Sequence, residues 1–239
     1  MSEINIIIPT YNEEDNIIYL IKDIFKYVPK SIITIVDDSK NNLILSLIKK
    51  ENFKSKVNYF HRKNSRGRGS AVLFGFKKVI KNNVKQTFIE MDADFSHKPS
   101  ELRKNIKMFN NNKNDLLIAS RYLPKSKILN WSFSRRIFSK LSNILAKKIL
   151  KINVSDYTNG FRIYSKEAIN LIIKKCGKIG DGFIVLSEIL LIIDLNNLKI
   201  NEVNSTFINR KRGESSVNIK LIMQSLYGLI KLYFIRRNF

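Results

Sequence analysis

The stretch "VKQTFIEMDADFSHKP", Val84 to Pro99, decides how this chain is read. Its first half is short, apolar and rich in strand formers, so it reads as a buried strand. Asp92 and Asp94 follow at the strand's end, and Pro99 opens a helix. Strand alternation would place both carboxylates on one face. The chain carries 43 Lys+Arg against 20 Asp+Glu, a formal charge of +23. Two neighbouring acids at a strand end therefore call for a physical reason.

The same pattern recurs on either side. "INIIIPTYNEEDNIIYLIKDIFKYV" is an apolar strand, a turn, and a helix on which Ile17, Ile18, Leu20, Ile21, Ile24 and Phe25 recur at helical spacing. Asn12 is expected to cap that helix, with Glu13, Glu14 and Asp15 in its first turn. "SIITIVDD" is a second strand ending on Asp37 and Asp38, and "KVNYFH" a third. "RGRGSAVLFGFKKVI" is a Gly-rich turn entering a helix, "PSELRKNIKMF" a helix, and "DLLIASR" a strand ending at Arg121. Continuously apolar strands alternating with helices predict an α/β fold, a mainly parallel central sheet with helices on both faces. Ligands of such sheets bind beyond the carboxyl ends of the strands, where Asp37, Asp38, Asp92, Asp94 and Arg121 all fall.

The second half is less regular. "WSFSRRIFSKLSNILAKKILK" predicts a long helix, "DYTNGFRIYS" a loop and short strand, "GFIVLSEILLIIDL" a buried helix, and "KINEVNSTFINR" a late strand. "NIKLIMQSLYGLIKLYFIRR" predicts a terminal helix with Lys220, Lys231, Arg236 and Arg237 among its apolar residues. Such a helix suits a membrane interface, a membrane partner, or this domain's own core.

Composition narrows the classes. A hydrophobic content of 44% supports a packed core, and one cysteine, Cys176, rules out an internal disulfide framework and fits a reducing compartment. The N-terminus lacks a signal-peptide pattern, and no apolar run is long enough to span a bilayer. The expectation is a cytoplasmic protein held peripherally on a membrane's cytoplasmic face. The positive charge favours anionic partners: phosphorylated substrates, anionic lipid or nucleic acid. Against nucleic acid, the lysines are dispersed, with no helix-turn-helix, RRM or zinc-finger pattern.

Two carboxylates this close repel one another unless a cation lies between them. A hard cation, Mg²⁺ or Mn²⁺, takes one or two carboxylates together with substrate phosphates. The alternative is that Asp94 or Ser96 caps the helix after Pro99. On the long helix, Arg135, Ser139 and Asn143 fall at i, i+4 and i+8 and form one polar stripe, suited to phosphate oxygens or simply to solvent. Trp131, Phe138, Leu141 and Leu145 are left to pack elsewhere.

Taken in order, "IIIPTYNEEDNI", "IVDD", "RGRGSAVLFGF", "MDADFSHKP", "ASRY", "WSFSRRIFSKLSN", "DYTNGFRIY" and "GDGFIVLSEIL" resemble the family-2, GT-A-type glycosyltransferases. Within them the chain is most similar to dolichol-phosphate mannose synthases and polyprenyl-phosphate relatives. The resemblance covers roughly residues 4–216, a catalytic domain over 1–216 followed by an amphipathic helix over 217–239. It implies that Pro9, Tyr11 and Glu13 line the nucleotide pocket, with Val36 and Asp38 at base or ribose. Asp92, Ala93 and Asp94 would frame the diphosphate, with the metal on Asp94 and Ser96. Arg121, Arg135 and Ser139 would bind the acceptor phosphate, and Arg210 would come from a late loop that closes over the donor. Asp92, Asp94 and Arg121 are the implied catalytic residues.

The implied reaction is inverting transfer of a hexose, mannose from GDP-mannose or glucose from UDP-glucose, to polyprenyl or dolichyl phosphate. The implied partners also include a membrane surface or a small membrane subunit. A phosphate acceptor is already anionic near neutral pH, so no catalytic histidine is required, and His97 reads as structural. Three positions depart from the family pattern. Arg68 stands where leucine is usual between the glycines. Ser216 stands where lysine is usual, with Lys211 or Arg212 as substitutes. The loop after Asp38 is shortened.

Overall fold

The computed structural model describes residues 2–53, 55–64, 67–209 and 219–238, with side chains from Met223 onward in the last segment. Parallel strands form one half of the sheet: β1 (Glu3–Thr10), β2 (Ile32–Asp37), β3 (Val57–His61) and β4 (Gln86–Glu90). Between them lie α1 (Glu14–Tyr27), α2 (Leu43–Glu51) and α3 (Arg68–Val79). A 3-10 turn at Pro99–Glu101 leads into α4 (Leu102–Asn111), then come β5 (Leu116–Ser120), β6 (Lys127–Leu129) and α5 (Phe133–Leu150). The chain continues through β7 (Arg162–Ser165), α6 (Lys166–Lys175), α7 (Ile184–Leu195), β8 (Ile200–Asn204), β9 (Thr206–Ile208) and α8 (Ile219–Arg237).

The main sheet has the order β3-β2-β1-β4-β7-β5-β8, and β6 pairs with β9 in a small second sheet. β7 runs antiparallel to both β4 and β5, and the other pairings are parallel. Alternation along β1 divides the core in two. Ile7 packs on the side of α3, α6 and α7, while Ile6 and Ile8 pack on the side of α1. Both sheet faces are thus covered, as the continuously apolar strands require.

Several local expectations change. Asn12 does not cap α1; it takes a left-handed backbone (φ 54) in the preceding turn, and its N–H donates to Ser39 Oγ at 2.8 Å. β4 ends at Glu90, so Asp92 and Asp94 lie in the following loop, with Ala93 buried between two half-buried carboxylates. The late strand breaks at Ser205 into β8 and β9. α6 is not among the expected helices, although Ser165 marks its start: Ser165 Oγ accepts from the Ala168 N–H at 3.0 Å. β6 is only three residues long and is held by tertiary pairing.

α8 packs against α5 and α7, with Leu229 and Leu232 buried in the core. A Cβ at Gly228 would sit 2.5 Å from Ile184 Cγ1, which explains glycine there. Trp131 is buried, whereas Phe138, Leu141 and Leu145 are exposed, so the apolar residues opposite the polar stripe do not pack into this domain. No described helix is long and apolar enough to cross a membrane.

Candidate active site

The first wall is the carboxyl end of β1 and β2, where Pro9 pairs in register with Val36 and Thr10 with Asp37. Asp37 is fully buried, and its carboxylate accepts from Thr10 Oγ1, Ser39 N, Ser39 Oγ and Tyr59 Oη. It organises the turn. Asp38 meets the Arg62 fork, Nε to Oδ1 and Nη2 to Oδ2, both at 2.7 Å, and also accepts from the Gly67 N–H at 3.2 Å. It therefore ties β2 to the turn before α3, where Gly67 supplies a φ of 143 that few other residues tolerate. Val36 offers only backbone, since its side chain is fully buried and faces α3 at Gly75. Tyr11, exposed, and Glu13, half-buried, lie on the turn before α1.

The second wall is the loop after β4. Asp94 Oδ1 accepts from the Ser96 N–H at 3.1 Å, which folds the loop on itself. Neither the turn at Pro99 nor α4 has a side-chain cap, so Asp94 and Ser96 are not helix caps. Ser96 Oγ is buried with no hydrogen-bond partner, an orphan of the kind an ion or water fills. His97 is fully buried. Its Nδ1 accepts from the Asp92 N–H at 3.1 Å, so its proton lies on Nε2, 2.9 Å from Asn159 Oδ1. Stacked on Phe161 with centroids 5.2 Å apart, His97 is a strut under Asp92.

Asp92 is also held by Arg68, the first residue of α3, whose Nε donates to Asp92 Oδ1 at 2.7 Å. Arg68 Nη1 lies 3.6 Å from Glu90 Oε2. Burial opposes the Arg68 charge, but Asp92 and Glu90 outweigh it and raise the guanidinium pKa. Burial raises the Glu90 carboxyl against the pull of Arg68 and Arg162.

The third wall centres on Arg121 beyond β5. Its Nε and Nη2 donate to Asp156 Oδ2 and Oδ1, each at 2.8 Å, and Nη2 reaches Thr158 Oγ1 at 2.6 Å. Burial opposes both charges, yet each partner stabilises the other: the Arg121 pKa is raised and that of Asp156 lowered. Asp92 also raises that of Arg121, which puts the β4 loop and the β5 end in one electrostatic site. The guanidinium carbon lies 5.5 Å from the Trp131 ring and 5.4 Å from Phe207.

The polar stripe of α5 faces this wall. Arg135 sits over Trp131 at 4.4 Å and donates to Asn209 Oδ1 at 2.9 Å. Ser139 Oγ accepts from Tyr122 Oη at 2.6 Å, and buried Asn143 accepts from the Tyr157 N–H at 2.6 Å. A groove of about 470 Å³ flanks Asp94 on the α1 side, lined by Asp15, Tyr19, Lys98 and Asn209 among others. Arg210, Lys211, Arg212 and Ser216 lie outside the described residues.

The structure thus brings Asp92, Asp94, Arg121, Arg135 and Ser139 around the carboxyl ends of β4 and β5. Asp38 is turned toward Arg62. Sequence reasoning missed Asp156, Arg62 and the Arg68–Glu90 pair. A lone acid in "SDYTNG" carries no partner signal, because its arginine lies 35 residues away. No three described His, Cys, Asp or Glu side chains could enclose a metal. Asp94, a hard carboxylate that lines the groove, with Ser96 Oγ and the neighbouring Asp92 beside it, matches a Mg²⁺- or Mn²⁺-type ion that completes its shell with water and ligand phosphate.

This sheet order, with a carboxylate pair beyond β4 and buried arginines beside it, defines an enzyme of the GT-A fold. The chain belongs to glycosyl transferase family 2, whose model matches residues 5–172, and it is a glycosyltransferase. It is 29% identical over 224 residues to the polyprenol monophosphomannose synthase of Mycolicibacterium smegmatis, covering 93% of this chain and 83% of that one. It is 32% identical over 238 residues to the dolichol-phosphate mannosyltransferase of Pyrococcus furiosus, covering 96% of this chain but 63% of that longer protein. The fold is similar to glucosyl-3-phosphoglycerate synthase of Mycobacterium tuberculosis, solved with Mn²⁺, UDP and phosphoglyceric acid (TM-score 0.69, 15% identity, covering 97% of this chain and 78% of that one). It is also similar to S. aureus TarS 1-349 with UDP-GlcNAc (TM-score 0.60, 18% identity, covering 91% and 62%).

Proposed function

We propose that this enzyme transfers mannose from GDP-mannose to a polyprenyl or dolichyl phosphate at a membrane surface, with inversion. The observation that carries this reading is the placement of the α5 helix. One face of α5 turns Arg135 and Ser139 toward Arg121, and the other exposes Phe133, Ile137, Phe138, Leu141 and Ile144. A phosphate site and an apolar surface on two faces of one helix suit a ligand with an anionic head and an isoprenoid tail. The names of the two curated relatives support the same acceptor and sugar.

Arg135 and Ser139 would hold the acceptor phosphate, with Arg121, fixed by Asp156, as the adjoining cation. An anionic phosphate oxygen needs no general base. That oxygen bonds to the anomeric carbon, the bond from that carbon to the donor's phosphate oxygen breaks, and the electron pair leaves with the nucleoside diphosphate. Asp94 and Ser96, with Asp92 beside them, would hold a divalent cation, which neutralises charge on the departing diphosphate. Pro9, Tyr11, Glu13, Val36 and Asp38 would form the nucleoside wall.

α8, which packs against α5, also exposes Met223, Tyr227, Ile230 and Phe234, and Lys140, Lys147, Lys148 and Lys231 are exposed on the same two helices. We assign this composite face to an anionic bilayer, which would hold the enzyme peripherally where its acceptor resides. The test is a panel of GDP-mannose, UDP-glucose and UDP-GlcNAc with a short polyprenyl phosphate in anionic vesicles, with and without Mg²⁺ or Mn²⁺. Metal-dependent transfer from GDP-mannose alone is expected. Transfer only from a UDP-sugar would replace the donor, and no transfer to any lipid phosphate would remove the acceptor.

A further inference from the structure

Arg68 opens α3, where the helix dipole disfavours a cation, and its side chain is only 12% exposed. Such a charge persists only if carboxylates compensate it. Asp92 does so at 2.7 Å, and Glu90 lies 3.6 Å from Nη1. Nη2 donates to the Gly160 carbonyl at 3.1 Å, and the guanidinium carbon lies 5.9 Å from the Phe183 ring. Gly160 leaves room for it: a Cβ there would fall inside the guanidinium. Glu90 is in turn held by Tyr164, whose Oη donates to Oε1 at 2.8 Å. A side chain clamped from four sides is a fixed part of the site's charge.

We propose that Arg68 is a resident counter-ion of the donor site, a positioning residue that fixes Asp92 and leaves the site net positive once a divalent cation is bound. Asp92 and Asp94 balance a divalent ion, and Arg68 then adds a positive charge on the side where a diphosphate must bind, which Glu90, fully buried, raised in pKa by burial and held by Tyr164, offsets only in part. The same charge repels the divalent ion, so Arg68 weakens metal affinity and strengthens nucleoside diphosphate affinity. This inference rests on the metal reading of Asp92 and Asp94.

The test measures Mn²⁺ binding by the electron paramagnetic resonance of free Mn²⁺, and GDP and UDP binding by calorimetry at saturating Mn²⁺. The proteins are the full chain, R68L, R68K and R68L/E90Q. The double variant leaves no unpaired buried carboxylate and keeps an acceptor for Tyr164, so it guards against a misfolded R68L. In R68L, Mn²⁺ should bind more tightly and the nucleoside diphosphate more weakly, each on the order of tenfold, and R68L/E90Q should shift in the same directions by less, because the Glu90 charge is removed with that of Arg68. R68K, which keeps the charge, should stay within about threefold of wild type for both Mn²⁺ and the nucleoside diphosphate. Opposite shifts support the inference, because a merely structural lesion weakens both ligands. Joint weakening, or equal Mn²⁺ affinity in wild type and both leucine variants, overturns it while leaving the metal reading intact. Absence of Mn²⁺ binding from every form overturns both.

Discussion

Arg121 and Asp156 form a buried two-pronged ion pair, with the Asp156 carboxylate also accepting the backbone N–H groups of Arg121, Thr158 and Asn159. One carboxylate thus fixes both a cation of the site and the loop that crosses beneath it. Breaking such a pair leaves a buried charge uncompensated, at a cost of about 3–5 kcal/mol. Asp156→Ala should lower stability by that order in urea denaturation and depress transfer at temperatures where the protein stays folded. A change under about 1 kcal/mol would place the pair outside the stabilising framework.

The same pair sets a pH dependence. The Asp156 pKa is depressed in the folded state, because Arg121 and the N–H donors outweigh burial. Its stabilisation is therefore fully present above the ordinary aspartate value of 3.8 and is lost as pH falls below it toward the folded value. Denaturation midpoints of the wild type should fall below about pH 4, and the difference between wild type and Asp156→Asn should shrink there. A constant difference across the acid range would assign the effect to packing.

Asp94→Ala should abolish transfer, with a loss on the order of a hundredfold or more, while circular dichroism and melting stay near wild type. The loop loses one hydrogen bond, Ser96 N–H to Asp94 Oδ1, worth about 1 kcal/mol. Retained turnover with Mg²⁺ or Mn²⁺ would remove Asp94 from the metal site.

Arg135→Ala should raise the KM for polyprenyl phosphate by about tenfold and leave the donor KM within about twofold. Arg135 packs on Trp131 and bonds Asn209, so the control is Arg135→Lys, which keeps the charge without the fork. An effect confined to the donor would reassign the stripe.

Removing the terminal helix is a poor test of membrane docking, because Leu229 and Leu232 belong to the core. Exposed positions are cleaner. Leu141→Asp on α5 and Phe234→Asp on α8 should each reduce flotation with anionic liposomes by roughly tenfold, the order of one large apolar side chain's burial, without changing melting. Unchanged flotation would leave that face to a protein partner.

Much of this was legible in the chain itself. The apolar runs of β1, β2, β4 and β5, and the helical repeats between them, are local patterns that burial on both sheet faces writes into composition. The positions of Asp38, Asp92, Asp94 and Arg121 at strand ends follow from the same reading, as does the stripe of Arg135, Ser139 and Asn143. What those side chains face is not local. Asp38 meets Arg62 across 24 residues, Asp92 meets Arg68 across 24, and Arg121 meets Asp156 across 35. The antiparallel insertion of β7 between β4 and β5 places Arg162 opposite Glu90.

The sequence by itself determined the α/β layering, the strand ends and the types of group available to bind phosphates and a cation. Only the tertiary structure decided which carboxylates are already paired with arginine and which helix surfaces remain apolar and uncovered. The reason is physical: periodicity reports burial along one element, whereas charge pairing and exposed faces depend on which distant elements pack together.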